Sequence, residues 1–228
     1  MQPKLNRIYG IIYRHVLMWP RNIESLAEVF WWPTFDLFLW GLASVYIQEY
    51  GTGVNNITGF FLGGILLWVL IYRSQQDIGI LFLWEVWDHN LLNILSTPLT
   101  LGEYYTGILL LGLMKLAMTI VWMSILAYIL FTFSILQVGW YLVPFVINLI
   151  LVGWSAGFFI NGLIVLFGVR AQATAWIMIC LIQPFSAVLF PLSILPHWVQ
   201  VVSRFVPSSY IFEGMREVLG GNTLDLMK

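Results

Sequence analysis

Apolar runs dominate this chain, and the places where they stop define its elements. Long runs at about 29–47, 57–83, 105–133, 140–167 and 173–192 each approach or exceed the ~20 residues that a helix needs to cross a bilayer. Between Lys4 and Trp19 the pattern has a helical period instead. Leu5, Ile8, Ile12, Val16 and Trp19 fall on one side, with Lys4, Arg7 and Arg14 opposite, which predicts an interfacial helix ending at Pro20. Residues 1–26 are read as this helix and 27–228 as a single transmembrane domain. The alternative is a soluble amphipathic helix packed on a partner.

The long polar interruption is Trp84 to Gly107. Apolar positions at Leu91, Leu92, Ile94 and Leu95, a break at Thr97-Pro98, and Glu103 opening the next run predict a short helix across one membrane face, within an inner loop 84–104. A docking surface and an ordinary interhelical loop both fit it. Past Phe190 the prolines Pro191, Pro196 and Pro207 cut the chain into pieces too short to cross: His197 to Val206, and Ser209 to Leu219 ending at Gly220-Gly221. Over 197–219 these read as two short re-entrant or surface helices on the outer side, carrying Trp198, Arg204, Tyr210, Glu213 and Arg216. The fold class expected is an all-α membrane bundle of five spans.

Composition agrees with the pattern. Of 228 residues, 60% are hydrophobic and 9% charged, too little polar surface to solvate a globule. A net charge of −1 leaves no basic stripe for nucleic acid. Cys180, the only cysteine, lies inside an apolar run, where it has no partner for an internal disulfide, and His15, His89 and His197 are scattered over three segments. No Gly-rich phosphate loop is present, so ATP chemistry is not expected in this chain.

Charges inside the runs are the remaining polar signal. Asp36 and Lys115 lie roughly 14 and 17 Å from the inner ends of the first and third runs, counted at 1.5 Å per residue. Their matching depth predicts an intramembrane pair, the alternatives being separate wet cavities or a snorkelling Lys115. Arg73 and Asp77 stand four apart at the end of the second run, where they form an inner-interface pair or Arg73 snorkels. Glycines at Gly59 and Gly63, and at Gly153, Gly157 and Gly162, predict close helix approach. Lys4, Arg7, Arg14 and Arg21 before the first run, with Arg170 between the fourth and fifth, place the N-terminus in the cytoplasm.

The order of these features resembles the permease subunit of a type-two ABC exporter. The resemblance rests on the amphipathic N-terminal helix and on Glu85 followed by Asn90-Leu91-Leu92-Asn93-Ile94-Leu95-Ser96-Thr97-Pro98-Leu99 and Glu103. It rests also on Phe190-Pro191-Leu192-Ser193-Ile194-Leu195-Pro196, leading to Pro207-Ser208-Ser209-Tyr210 and Glu213-Gly214-Met215-Arg216. It implies export of a glycan, lipid or drug-like substrate across the plasma (inner) membrane. It implies a coupling helix built from Glu85, Asp88, Asn90, Asn93, Thr97, Pro98 and Glu103, a separate ATPase subunit that holds ATP and Mg, and a second permease copy or close relative. The family continues into a sixth span, whereas this sequence stops at Lys228. An ion-coupled secondary transporter is the alternative; it would be expected to show an internal repeat, and none is visible.

Overall fold

The computed structural model describes residues 4–19, 22–50 and 56–221, and every regular element among them is helical. Pro20, Arg21, residues 51–55 of the loop after the first expected span, and the end of the chain up to Lys228 lie outside the described residues.

Helix α4 (Ile57–Trp87) is the axle of the bundle. Its 31 residues make it roughly 46 Å long, and it is buried on all sides over most of that length. A helix apolar all round has no face to offer water and is enclosed by others. Here α3 (Trp32–Tyr50), α6 (Leu101–Phe131) and α7 (Leu142–Phe167) surround it. Among the described residues, three segments are long and apolar enough to cross a membrane: α4, α6, and Ile135–Phe167, in which a 3-10 turn leads into α7. This is the build of an all-α membrane protein.

The closest packing is between α4 and α7, and small residues permit it. A Cβ at Gly153 would lie 2.6 Å from the Ile71 carbonyl oxygen, and one at Gly157 2.8 Å from Ile78 Cβ. Gly63 on α4 admits Met215 in the same way, whereas Gly162 meets nothing and Gly59 only the Asn56 side chain. Of the glycines read as helix contacts, those two do not mediate one.

The first expected span is not one regular helix. The short α2 (Ile23–Leu26) passes through a π-helical turn, Ala27–Trp31, into α3, with the Trp32 N–H donating to the Ala27 carbonyl five residues back. Pro33 accounts for the extra residue. It has no N–H for an α-helical bond to Val29, and its ring would crowd that carbonyl, so a wider turn before it relieves both problems. The turn also directs Glu28 into the bundle.

The fifth expected span, 173–192, is shorter than expected. Helix α8 runs from Thr174 to Phe185, 12 residues, roughly 18 Å against a ~30 Å hydrocarbon core. It stops because Pro184 weakens its last turn, Ala187 takes a left-handed conformation (φ 55°), and Arg216 donates to the carbonyls of Ala187, Val188 and Phe190. Arg216 sits on α10 (Pro207–Leu219), which follows the short α9 (His197–Ser203). Glu213 pairs with Arg216 at 2.9 Å and accepts from the Leu192 N–H, while the Tyr210 hydroxyl donates to the Arg204 carbonyl. These side chains fix the turns around α9 and α10. Phe212 and Met215 bury α10 against the start of α4, leaving Trp198 exposed on α9.

Candidate functional site

Two polar regions interrupt the apolar bundle. The deeper one begins with Arg73-Ser74-Gln75-Gln76-Asp77, all buried, at the middle of α4. The reason is that α4 continues unbroken to Trp87, so this segment stays inside the bundle. Arg73 Nη2 and Asp77 Oδ1 form the i, i+4 pair at 3.1 Å. On its other side Arg73 Nη1 lies 3.6 Å from Glu28, delivered by the π turn. Lys115 Nζ approaches the same Asp77 oxygen from α6 at 3.6 Å.

Four charges from three segments therefore sum to zero. Neutrality is what so buried a setting demands, since breaking a buried pair strands a charge at about 3–5 kcal/mol. Close approach is provided by Gly112 of α6, where a Cβ would lie 3.2 Å from Asp77 Cβ. The expected Asp36–Lys115 pair is not formed. Asp36 sits two turns beyond Glu28 on α3, roughly 12 Å further along the axis, and makes no ion pair or hydrogen bond among the described residues.

Around the network, Gln75 donates to the Ala175 carbonyl and Asn161 of α7 to the Ile78 carbonyl. Several atoms keep unused capacity: Asp77 Oδ2, both Gln76 amide atoms, Ser74 Oγ and Asn161 Oδ1. Sequence reasoning missed Glu28, Gln75, Gln76 and Asn161. Two glutamines in the middle of a 31-residue apolar helix were the available signal.

The second region closes the end of α4. After Trp87 the chain turns at His89 (φ 51°), forms the one-turn α5 (Leu91–Leu95) and enters α6 through a capping box. In that box Thr100 Oγ1 accepts from the Glu103 N–H while the Glu103 carboxylate accepts from the Thr100 N–H. Glu85 and Glu103 are both buried, and α1 (Lys4–Met18) explains how. Arg14 lies 3.1 Å from Glu85, and Arg7, two turns earlier, lies 3.4 Å from Glu103 and also donates to the Pro98 carbonyl. Asn90 adds a 2.6 Å bond to Glu85. Arg7 and Arg14, on the polar side of the expected interfacial helix, bind this connection. Asp88, Asn93, Thr97 and Pro98 remain exposed, with Trp87, Leu92 and Leu101 as apolar neighbours.

Between α1, α4 and α6 a crevice of about 140 Å³ extends from Arg14, His15 and Asp88 inward to Lys115. His15 lines it with Nε2 4.0 Å from Glu85. Burial chiefly, then the Arg14 guanidinium, lowers its pKa to about 4, against a smaller opposing effect of Glu85. His15 is thus neutral near pH 7. Groups of three or more His, Cys, Asp or Glu side chains placed to hold a metal ion are absent among the described residues.

No protein-family model matches this chain, and no curated protein matches it.

Proposed function

We propose that this chain is the transmembrane permease subunit of an ABC exporter, moving a glycan, lipid or drug-like substrate out of the cytoplasm. In this reading it lies in the plasma (inner) membrane with α1 and the α4–α6 connection on the cytoplasmic side. The crossings are α3, α4, α6 and α7, with a fifth made by the short α8 together with residues 186–192 after it, and α9 and α10 re-entrant at the outer face. A separate ATPase subunit binds ATP and Mg and docks on the connection. A second copy, or a close relative, completes the path across the seam bordered by α3 and α8.

One observation carries this reading. The α4–α6 connection is a short turn tied to α1 by Arg7 and Arg14, while Trp87, Asp88, Leu92, Asn93 and Leu101 along it are exposed. A lever must be stiff where it joins the bundle and sticky where it is pushed, and an exposed apolar cluster rimmed by polar groups is the usual mark of a protein contact. Glu85 and Glu103 supply the stiffness. Contact falls to the exposed residues.

The test is co-purification with a co-expressed ABC ATPase, comparing the parent chain with Leu92→Asp and Asp88→Lys. Both sites are exposed, so the fold should survive. Loss of capture and of substrate-stimulated ATP hydrolysis in Leu92→Asp is expected; full retention of both in the two variants overturns the reading.

A second reading draws on the buried network. Glu28, Arg73, Asp77 and Lys115 at mid-depth are the kind of intramembrane charges that ion-coupled carriers use. Transport by the chain alone in vesicles, driven by a proton or sodium gradient without ATP, would establish it.

A further inference from the structure

Beside the deeper polar region, α3, α4 and α8 border a groove of about 320 Å³. Four aromatic side chains line it, Trp32 and Trp40 from α3 with Trp68 and Tyr72 from α4, among aliphatic neighbours such as Ile65 and Ile179. Asp36 is the one charged group on its lining, and Gln183 of α8 contributes an amide. Among the described residues Asp36 makes no ion pair. The nearest strong cation along α4, Arg73, is already committed to Glu28 and Asp77.

From this we infer that the groove binds an amphiphilic organic cation, its positive centre against Asp36 and its apolar body against the tryptophans. The chemistry selects that class. Indole faces attract cations through the ring quadrupole, and a half-buried carboxylate at bilayer depth is costly until something neutralises it. A neutral sugar could stack on the same rings but would leave the carboxylate charge uncompensated, and a saccharide's many hydroxyls would find few partners beyond Asp36, Gln183 and Tyr72. The groove's size suits a molecule of drug-like dimensions. Treating its occupant as transported substrate rests on the permease reading, whereas binding itself does not.

The experiment is equilibrium binding of radiolabelled tetraphenylphosphonium to the full chain in lipid nanodiscs, with protein-free nanodiscs subtracted for partition into lipid. Saturable binding is expected, weakened at least tenfold by Asp36→Asn, largely retained by Asp36→Glu, weakened by Trp68→Leu, and unchanged by Trp198→Leu on the exposed α9. Thermal melting of each variant verifies folding. Unsaturable binding, equal binding by folded Asp36→Asn, or equally effective competition by neutral tetraphenylsilane or by an uncharged oligosaccharide overturns the assignment. Displacement of the probe on dimerisation of the chain also overturns it, because the groove would then accept a basic residue of the second copy. No ATPase is present in this measurement, so a failure here leaves the permease reading standing, and loss of ATPase capture leaves the groove standing.

Discussion

Lys115 on α6 reaches Asp77 on α4, with Nζ and Oδ1 3.6 Å apart, and Asp36 has no part in the contact. Asp77 thereby serves two cations through one oxygen, since Arg73 reaches the same atom at 3.1 Å. Removing one member of a buried pair leaves the other charge stranded, at about 3–5 kcal/mol. Asp77→Asn strands Lys115 and should lower the thermal stability of the protein in detergent by that order, whereas Lys115→Met leaves Asp77 paired with Arg73 and should cost less. The double variant should cost clearly less than the sum, because neither charge is left stranded by the other's loss. Asp36→Asn should be additive with Lys115→Met. Additivity between Lys115 and Asp77 instead would show that their proximity has no energetic content.

Why the sequence suggested the other partner is a matter of geometry. Residue count places Asp36 at the depth of Lys115 and Asp77 at the inner end of its run, so depth alone favours Asp36. Which helix faces α6 depends on the glycines that let backbones meet, and Gly112 against Asp77 is a long-range fact. Local chemistry was more readable: Thr100 and Glu103 form the capping box that opens α6, and Arg73 and Asp77 pair at the spacing that predicts it. The end of α8 was not readable, because Arg216, 31 positions beyond Phe185, reaches back to the carbonyls just past it. Glu28 needed the π turn before Pro33 to be known.

The two arginines of α1 should contribute unequally. Arg7 and Arg14 are both substantially solvated, so each attraction is screened and worth at most about 1 kcal/mol. Glu85 differs from Glu103 in what remains after the arginine is lost: Glu103 keeps its capping bonds to Thr100, whereas Glu85 keeps only Asn90. Arg14→Ala should therefore expose α1 to limited proteolysis more than Arg7→Ala does. Thr100→Ala should cost about 1 kcal/mol through the lost cap, without releasing α1. Equal protease sensitivity of the two arginine variants would argue against this ranking.

Acid should loosen α1 through His15. Its pKa is about 4 when docked and near 6.5 when free in water, so protons prefer the undocked helix. The contribution of His15 to docking is full above pH 6.5 and is lost as pH falls through that value towards 4. The positive groups facing His15 are Arg14 and Lys115, and the negative ones are Glu85 and Asp88. A cysteine at Tyr13, in a Cys180→Ser background, placed for spin-label mobility, should show α1 becoming more mobile from pH 7 to pH 5. His15→Gln should flatten that response. A pH profile identical in the two proteins would exclude His15 as its source.

Two glycines of one helix should respond oppositely to the same methyl group. At Gly153 an added Cβ would sit 2.6 Å from the Ile71 carbonyl oxygen and 2.7 Å from Ser74 Cβ, while at Gly162 it would meet nothing within 4 Å. The carbonyl at Gly153 belongs to the enclosed α4 backbone, which cannot yield without displacing the helix that carries Arg73 and Asp77. Overpacking of this kind costs about 1–3 kcal/mol. At Gly162 the methyl only restricts the unfolded chain and improves helix propensity, a gain of up to about 1 kcal/mol. Gly153→Ala should lower the melting temperature, and Gly162→Ala should leave it unchanged or raise it. Because Gly153 lies one turn above Gly157 on the α4 seam, Gly153→Ala should also displace Ser74 and with it the charge network. A cysteine crosslink between Ile71→Cys and Leu149→Cys, in a Cys180→Ser background, should then form more slowly in Gly153→Ala than in Gly162→Ala. The same crosslinking rate and melting temperature in both would show that α4 and α7 do not meet through this glycine.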